Sequence, residues 1–315
     1  MIPKIEKDFI AADLATVENI LSQLTPSDVL GRLSLESRRD ELRDTLASVE
    51  ATDHPLASAA LFFSGQPVLN SQGIDSEFGA NAIQSFQEIV STVSAARFHS
   101  KLGQRGPVSG KEQSKLYVTR IVHGSFGFQF DELGDPPLFD SSLKGSVDQA
   151  TKIMASFDAP DNEFGQAVED IDERVLDRIR KFFDLVHGKD ATFRIVSGEL
   201  DKKYDQPSLE RAIERARITT IDEKDETFTG QLQGLLPGHR QFEYRTDAGV
   251  IYGKIDPSLS SDDASDLNIA WLGKDSVANV HVKRVSQKDR TYNPAYYLLN
   301  ISPRNEQQAG VPLAQ

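Results

Sequence analysis

The chain has 315 residues, 48 of them acidic and 35 basic, for a formal charge of -13, and it contains no cysteine. The missing thiols exclude disulfides, thiolate zinc sites, iron–sulfur clusters and a cysteine nucleophile, and they fit a reducing compartment. No apolar run approaches the roughly 18 residues of a membrane span, and no signal-peptide core follows the charged start, so a cytoplasmic protein with no membrane contact is expected.

Charge is unevenly placed. From Thr227 to Pro303 eight basic residues meet eight acidic ones, so the first 226 residues carry the whole excess. An acidic body repels phosphate backbones, which disfavours nucleic acid as its partner and leaves the carboxyl-terminal part as the place for any such contact.

Taken in order, Leu14, Val17, Ile20, Leu21 and Leu24 recur at helical spacing. Leu35, Leu42, Leu46 and Val49 do the same after Ser34, predicting an N-terminal helical hairpin. A hairpin is predicted from Ser58–Phe63 and Val68–Asn70 around a turn at Ser64–Pro67, followed by a helix carrying Phe78, Ile83, Phe86, Val90 and Val93. The glycine-rich stretch Ser100–Ser114 reads as a long loop.

A second hairpin spans Lys115–Phe130 and turns at His123-Gly124-Ser125. Its Phe126, Phe128 and Phe130 alternate as on a strand with one buried face, which makes it the expected centre of the sheet. The helix after it places Leu143, Val147, Ala150, Met154 and Phe157 on one face, and a single long helix is predicted from Asp161 to His187. A third hairpin, Thr192–Val196 with Glu199–Tyr204, precedes a short helix opened by Pro207. The resulting expectation is an acidic α+β body over 1–221, with hairpin-plus-helix (ββα) units at 58–99, 115–158 and 191–217.

Over 222–303 the pattern changes to strands at Thr227–Leu236, Gln241–Arg245, Val250–Ile255, Val277–Val285 and Tyr296–Ile301, with a short helix between the third and fourth. Five strands in this order resemble an OB-like barrel, and an SH3-like barrel fits the same pattern. Residues 304–315 read as a flexible tail.

Motifs for phosphate loops, nucleophile elbows, zinc helices and calcium loops are missing, and none of the six histidines lies at metal-ligand spacing from another on one helix. No cofactor or metal is expected. His123 with Ser125 forms a weak hydroxyl–imidazole pair, and Asp201-Lys202-Lys203 matches half of a metal-dependent nuclease or other hydrolase site. The barrel concentrates aromatic and basic residues, and Tyr244, Arg245, Tyr252, Lys254, His281 and Lys283 are its candidate contacts for nucleic acid or a protein partner. Because residues able to do chemistry are scattered, the expected function is non-enzymatic: an interaction or assembly protein, a homo-oligomer or a subunit of a bacterial multi-protein system. The alternative is a nucleic-acid-binding accessory subunit acting through the barrel.

Overall fold

A computed structural model describes residues 3–25, 28–50, 55–70, 72–98, 110–122, 126–169, 171–288 and 290–304. The His123–Ser125 turn, most of the Ser100–Ser114 loop and the tail beyond 304 lie outside the described residues. The elements in chain order are α1 (Pro3–Gln23), α2 (Val29–Glu50), β1 (Ser58–Gly65), β2 (Val68–Leu69), β3 (Gly73–Ile74), α3 (Ser76–Phe98), β4 (Tyr117–Val122), β5 (Phe126–Asp131), α4 (Ser142–Ser156), α5 (Asp161–Val168) and α6 (Glu173–His187). They continue with β6 (Ala191–Ser197), β7 (Leu200–Tyr204), α7 (Gln206–Ile218), β8 (Thr219–Leu236), β9 (Gln241–Thr246), β10 (Gly249–Ile255), α8 (Ser261–Trp271), β11 (Asp275–Gln287), β12 (Arg290–Thr291) and β13 (Ala295–Pro303). No described helix is long and apolar enough to cross a membrane. The chain forms two compact units, one from Met1–Ser91, Lys111–Ala155 and Lys181–Glu210, the other from Thr92–Gly110, Ser156–Arg180 and Arg211–Gln315.

The first unit is built on an antiparallel sheet in the order β4-β5-β1-β6-β7. Its centre is β1 rather than the phenylalanine hairpin. Ala59 to Phe63 are buried on both faces and so need a strand on each side, which β5 and β6 supply. The expected hairpin between Ser58–Phe63 and Val68–Asn70 does not form. At Gly65 (φ 103°) the chain leaves the sheet, and β2 pairs with β3 instead. Exposed Leu69 could not have replaced the apolar partners β1 requires.

On one face of this sheet Phe63 meets Phe78 of α3 with ring centroids 5.2 Å apart, and Phe86 meets Phe130 at 4.9 Å. Phe193 stacks on Tyr204 at 4.6 Å, and the Tyr204 hydroxyl donates to the Met154 carbonyl at 2.6 Å, which ties α4 to the sheet. On the other face Ile5 of α1 packs with Ala60, Phe62 and Val196. Helix α2 lies along α1 as the leucine periodicity predicts, and Arg43 reaches Glu18 at 2.7 Å between them.

The single helix predicted from Asp161 to His187 is two helices, broken after Glu169. The cause is Asp172, whose carboxylate accepts the Arg174 backbone N–H at 2.8 Å and caps α6.

In the second unit β8, β9, β10, β13 and β11 follow one another around a closed barrel. The β8–β11 pairing seals it, and β10 and β13 run parallel. Leu232, Phe242, Tyr244, Ile251, Val280, Val282 and Leu298 fill the interior, and α8 covers one end with Ala264, Leu267 and Trp271. That helix begins with a capping box between Ser260 and Asp263. Strand β8 starts at Thr219, eight residues before the expected Thr227, so the acidic run Asp222–Glu226 belongs to the barrel wall.

Closure needs a corner in β8, which pairs with β11 through Gln231 and with β9 from Gly230 onward. A Cβ on Gly230 would sit 1.9 Å from the Arg245 carbonyl oxygen, so only glycine lets the strand turn there. Gly230→Ala should destabilise the barrel by about 2 kcal/mol or more. Denaturant unfolding followed through Trp271, the one tryptophan of the chain, measures this directly.

Candidate functional site

The outward face of β9 and β10 is set by their register. A two-residue turn at Asp247-Ala248, held by the Thr246 hydroxyl, places Tyr252 opposite Glu243, Gly253 opposite Phe242 and Val250 opposite Arg245. Even-numbered residues of β9 therefore share a face with odd-numbered residues of β10. Phe242 and Tyr244 point into the core, while Tyr252 and Lys254 point out, which separates aromatic residues that the numbering alone would group together.

The exposed face thus carries Gln241, Glu243 and Arg245 on β9 and Val250, Tyr252 and Lys254 on β10. Tyr252 is 68% exposed, and the Lys254 ammonium lies 6.0 Å from the ring centre of Tyr297 on the adjoining strand.

Beside this face lies a cleft of about 300 Å³ lined by Gln241, Tyr252, Lys254, Pro294, Tyr296 and Glu169, with Phe242 and Gly253 beneath. Gly253 is required there, because a Cβ would come within 2.5 Å of both the Phe242 ring and the Tyr296 carbonyl oxygen. A second cleft of about 280 Å³ continues along the same segment, between Arg290–Asn293 and helix α5, and Glu169 borders both. Tyr292 lines this second cleft, its ring packing edge-on against Phe164 at 5.6 Å over Gly165 and its hydroxyl donating to Gln287 at 2.9 Å. Arg290 gives its guanidinium to Asp161 at 2.6 Å.

His281 and Lys283 occupy a different place, the β8–β11 seam. They are 1% and 3% exposed in their side chains. His281 Nδ1 donates to Asp225 at 2.7 Å and its Nε2 is 3.7 Å from Glu223. The Lys283 ammonium is 3.4 Å from Glu223 and 3.8 Å from Asp172. Next to them Arg284 binds Glu226 through two bonds of 2.7 and 2.9 Å. The Glu223 and Asp225 carboxylates hold the imidazole above its ordinary pKa, against the opposing effect of burial. Burial works against ionised Glu223, yet His281 and Lys283 keep its carboxyl below the usual range.

Of the six residues singled out by sequence, Arg245, Tyr252 and Lys254 share the outward face. Tyr244 lies inside, its hydroxyl donating to the Ser276 carbonyl at 2.7 Å, and His281 with Lys283 forms the buried seam. Asp201 of the nuclease-like triplet accepts two bonds from Arg194, at 2.7 and 2.6 Å, which lower its pKa. Among the described residues no group of three His or carboxylate side chains is arranged to hold a metal. Glu169 was not found from sequence, since it lies more than 70 residues from the strands it borders. Compared with known proteins, the chain matches no family, no curated protein and no solved structure.

The seam sets a pH dependence. A histidine whose folded pKa is raised stabilises the fold fully below its unfolded value of about 6.5, and this contribution is lost as pH rises through the folded pKa. Unfolding measured from pH 6 upward should show falling barrel stability in the native chain and a flatter profile in His281→Gln. Lys283→Met removes the ammonium that contacts both Asp172 and Glu223 and should cost about 3–5 kcal/mol in the same measurement.

Proposed function

We propose that this chain is a non-catalytic binding protein that holds single-stranded nucleic acid on an OB-like barrel and works as a subunit of a larger cytoplasmic assembly. The observation that carries the first part is exposed Tyr252 with Lys254 and Arg245 on one outward face, beside a cleft formed with the segment before β13. In a five-stranded Greek-key barrel of the OB type, the second and third strands and the loops after the first and fourth are where oligonucleotides and oligosaccharides bind. Here those strands are β9 and β10, and the last of those loops supplies Arg290 to Pro294.

Tyr252 offers a platform for a base. Lys254, at the next outward position about 7 Å along the strand, and Arg245 offer charge for phosphates. The chain's net charge of -13 opposes this binding at long range, and on the face itself Arg245 and Lys254 stand with Glu243, while Glu169 borders the cleft beside them. The affinity is therefore modest and depends on short-range contacts.

Fluorescence anisotropy with a labelled single strand of about twelve nucleotides tests the reading, a length within the site sizes of such barrels. Tyr252→Ala should weaken binding by about 1–3 kcal/mol. With two phosphate contacts the logarithm of the binding constant should fall against that of salt concentration with a slope near -1.4, at about -0.7 per contact. No binding at low salt, or binding unchanged by Tyr252→Ala, removes the reading.

The assembly reading is supported by apolar side chains left in solvent on the first unit. Leu30 is 81% exposed and Leu138 is 90% exposed, with Val29, Leu33 and Phe139 beside them in sequence. Light scattering should give a mass above the 34.8 kDa of one chain, or a co-purified partner, and Leu30→Glu with Leu33→Glu should reduce it. A monomer that captures nothing counts against this half of the proposal.

A further inference from the structure

The second cleft differs in chemistry from the face beside it. Its polar lining is mostly amides and carboxylates: Asn162, Gln166, Glu169 and Asn293 stand beside the hydroxyl-bearing Thr291 and Tyr292, with Asp161 already committed to Arg290 and to Arg215 at 2.8 Å. Among the described residues, the side chains of Asn162, Gln166, Glu169 and Asn293 make no hydrogen bond with one another or with any other group. A cleft with bonding capacity to spare and its one arginine neutralised suits the edge of a planar polar group better than a phosphate.

Resting on the nucleic-acid reading above, we infer that this cleft reads the edge of an unstacked base, and that Glu169 selects bases bearing an exocyclic amino group over thymine and uracil. Amides adapt to either donors or acceptors, because each carries both. The Glu169 carboxylate only accepts, so it pairs with the amino groups of cytosine and adenine. It repels thymine and uracil, whose edge presents a carbonyl oxygen at the same place. Glu169 borders both clefts, and Asn293 of the second is followed directly by Pro294 of the first, so a strand stacked on Tyr252 has a continuous path to it.

The test is anisotropy with labelled dC, dA and dT strands of about twelve nucleotides against the full chain and Glu169→Gln, whose folding is checked by circular dichroism. The native chain should bind dC and dA at least about fivefold more tightly than dT, the lower end of what one such base contact contributes. Glutamine, which donates as well as accepts, should raise dT binding and erase the preference. Equal binding of all three strands, or a preference that Glu169→Gln leaves unmoved, overturns the inference while the nucleic-acid reading stands. If no strand binds, that reading and the inference fall together.

Discussion

The barrel depends on the seam between β8 and β11, because without that pairing five strands would form an open sheet with two exposed edges. The first half of β8 has little apolar material to offer. Asp222, Glu223, Lys224, Asp225 and Glu226 occupy five successive positions, and the strand exists because β11 places His281, Lys283 and Arg284 across from them. Burying such charges costs several kcal/mol each before pairing, so they are held by mutual satisfaction and the arrangement tolerates one register only. A one-residue slip in one direction would set Glu223 against Val282, and in the other would set Lys283 against Lys224.

The seam also reaches the clefts. Asp172 caps α6 and contacts Lys283, which anchors the connection between α5 and α6 to the barrel wall. Glu169 lies three residues earlier in that connection. The break in the expected long helix places the Asp172 carboxylate where it caps α6 and meets Lys283, and it leaves Glu169 at the end of α5, bordering both clefts. The ionic seam and the position of Glu169 beside the clefts are, in this molecule, linked through one short piece of chain.

What could be read from the residues follows how local each feature is. The strand carrying Phe126, Phe128 and Phe130, the turns at Pro237–Arg240 and Thr246–Gly249 and the helix capped by Ser260 are written in neighbouring positions, and all of them form, although that strand is buried on both faces rather than one. The neighbours of β1 were not legible, because its partners lie about 70 and 130 residues away and pattern says nothing about which distant strand will pair. Hydropathy began this strand at Thr227 and left its acidic start without an element. Opposite charge signs on Asp222–Glu226 and on His281–Arg284 were the available signal, and they become informative only once the two segments are set side by side. At the outward face the three residues that come together, Arg245, Tyr252 and Lys254, were chosen for their chemistry. Tyr244 was chosen the same way and lies inside, since a single residue of register decides which face a strand position takes.

Net charge and local surface chemistry point to different partners, for a physical reason. A total of -13 describes the field beyond roughly a Debye length, about 8 Å at physiological salt, whereas a base stacked on Tyr252 or a phosphate beside Lys254 responds to what lies within that distance. The acidic excess is also partly paired: Glu223, Asp225, Glu226 and Asp172 each lie against a cationic side chain of β11. An acidic protein can therefore carry a cationic face of limited extent. Such a face favours ligands already brought close by other contacts over ligands drawn from a distance.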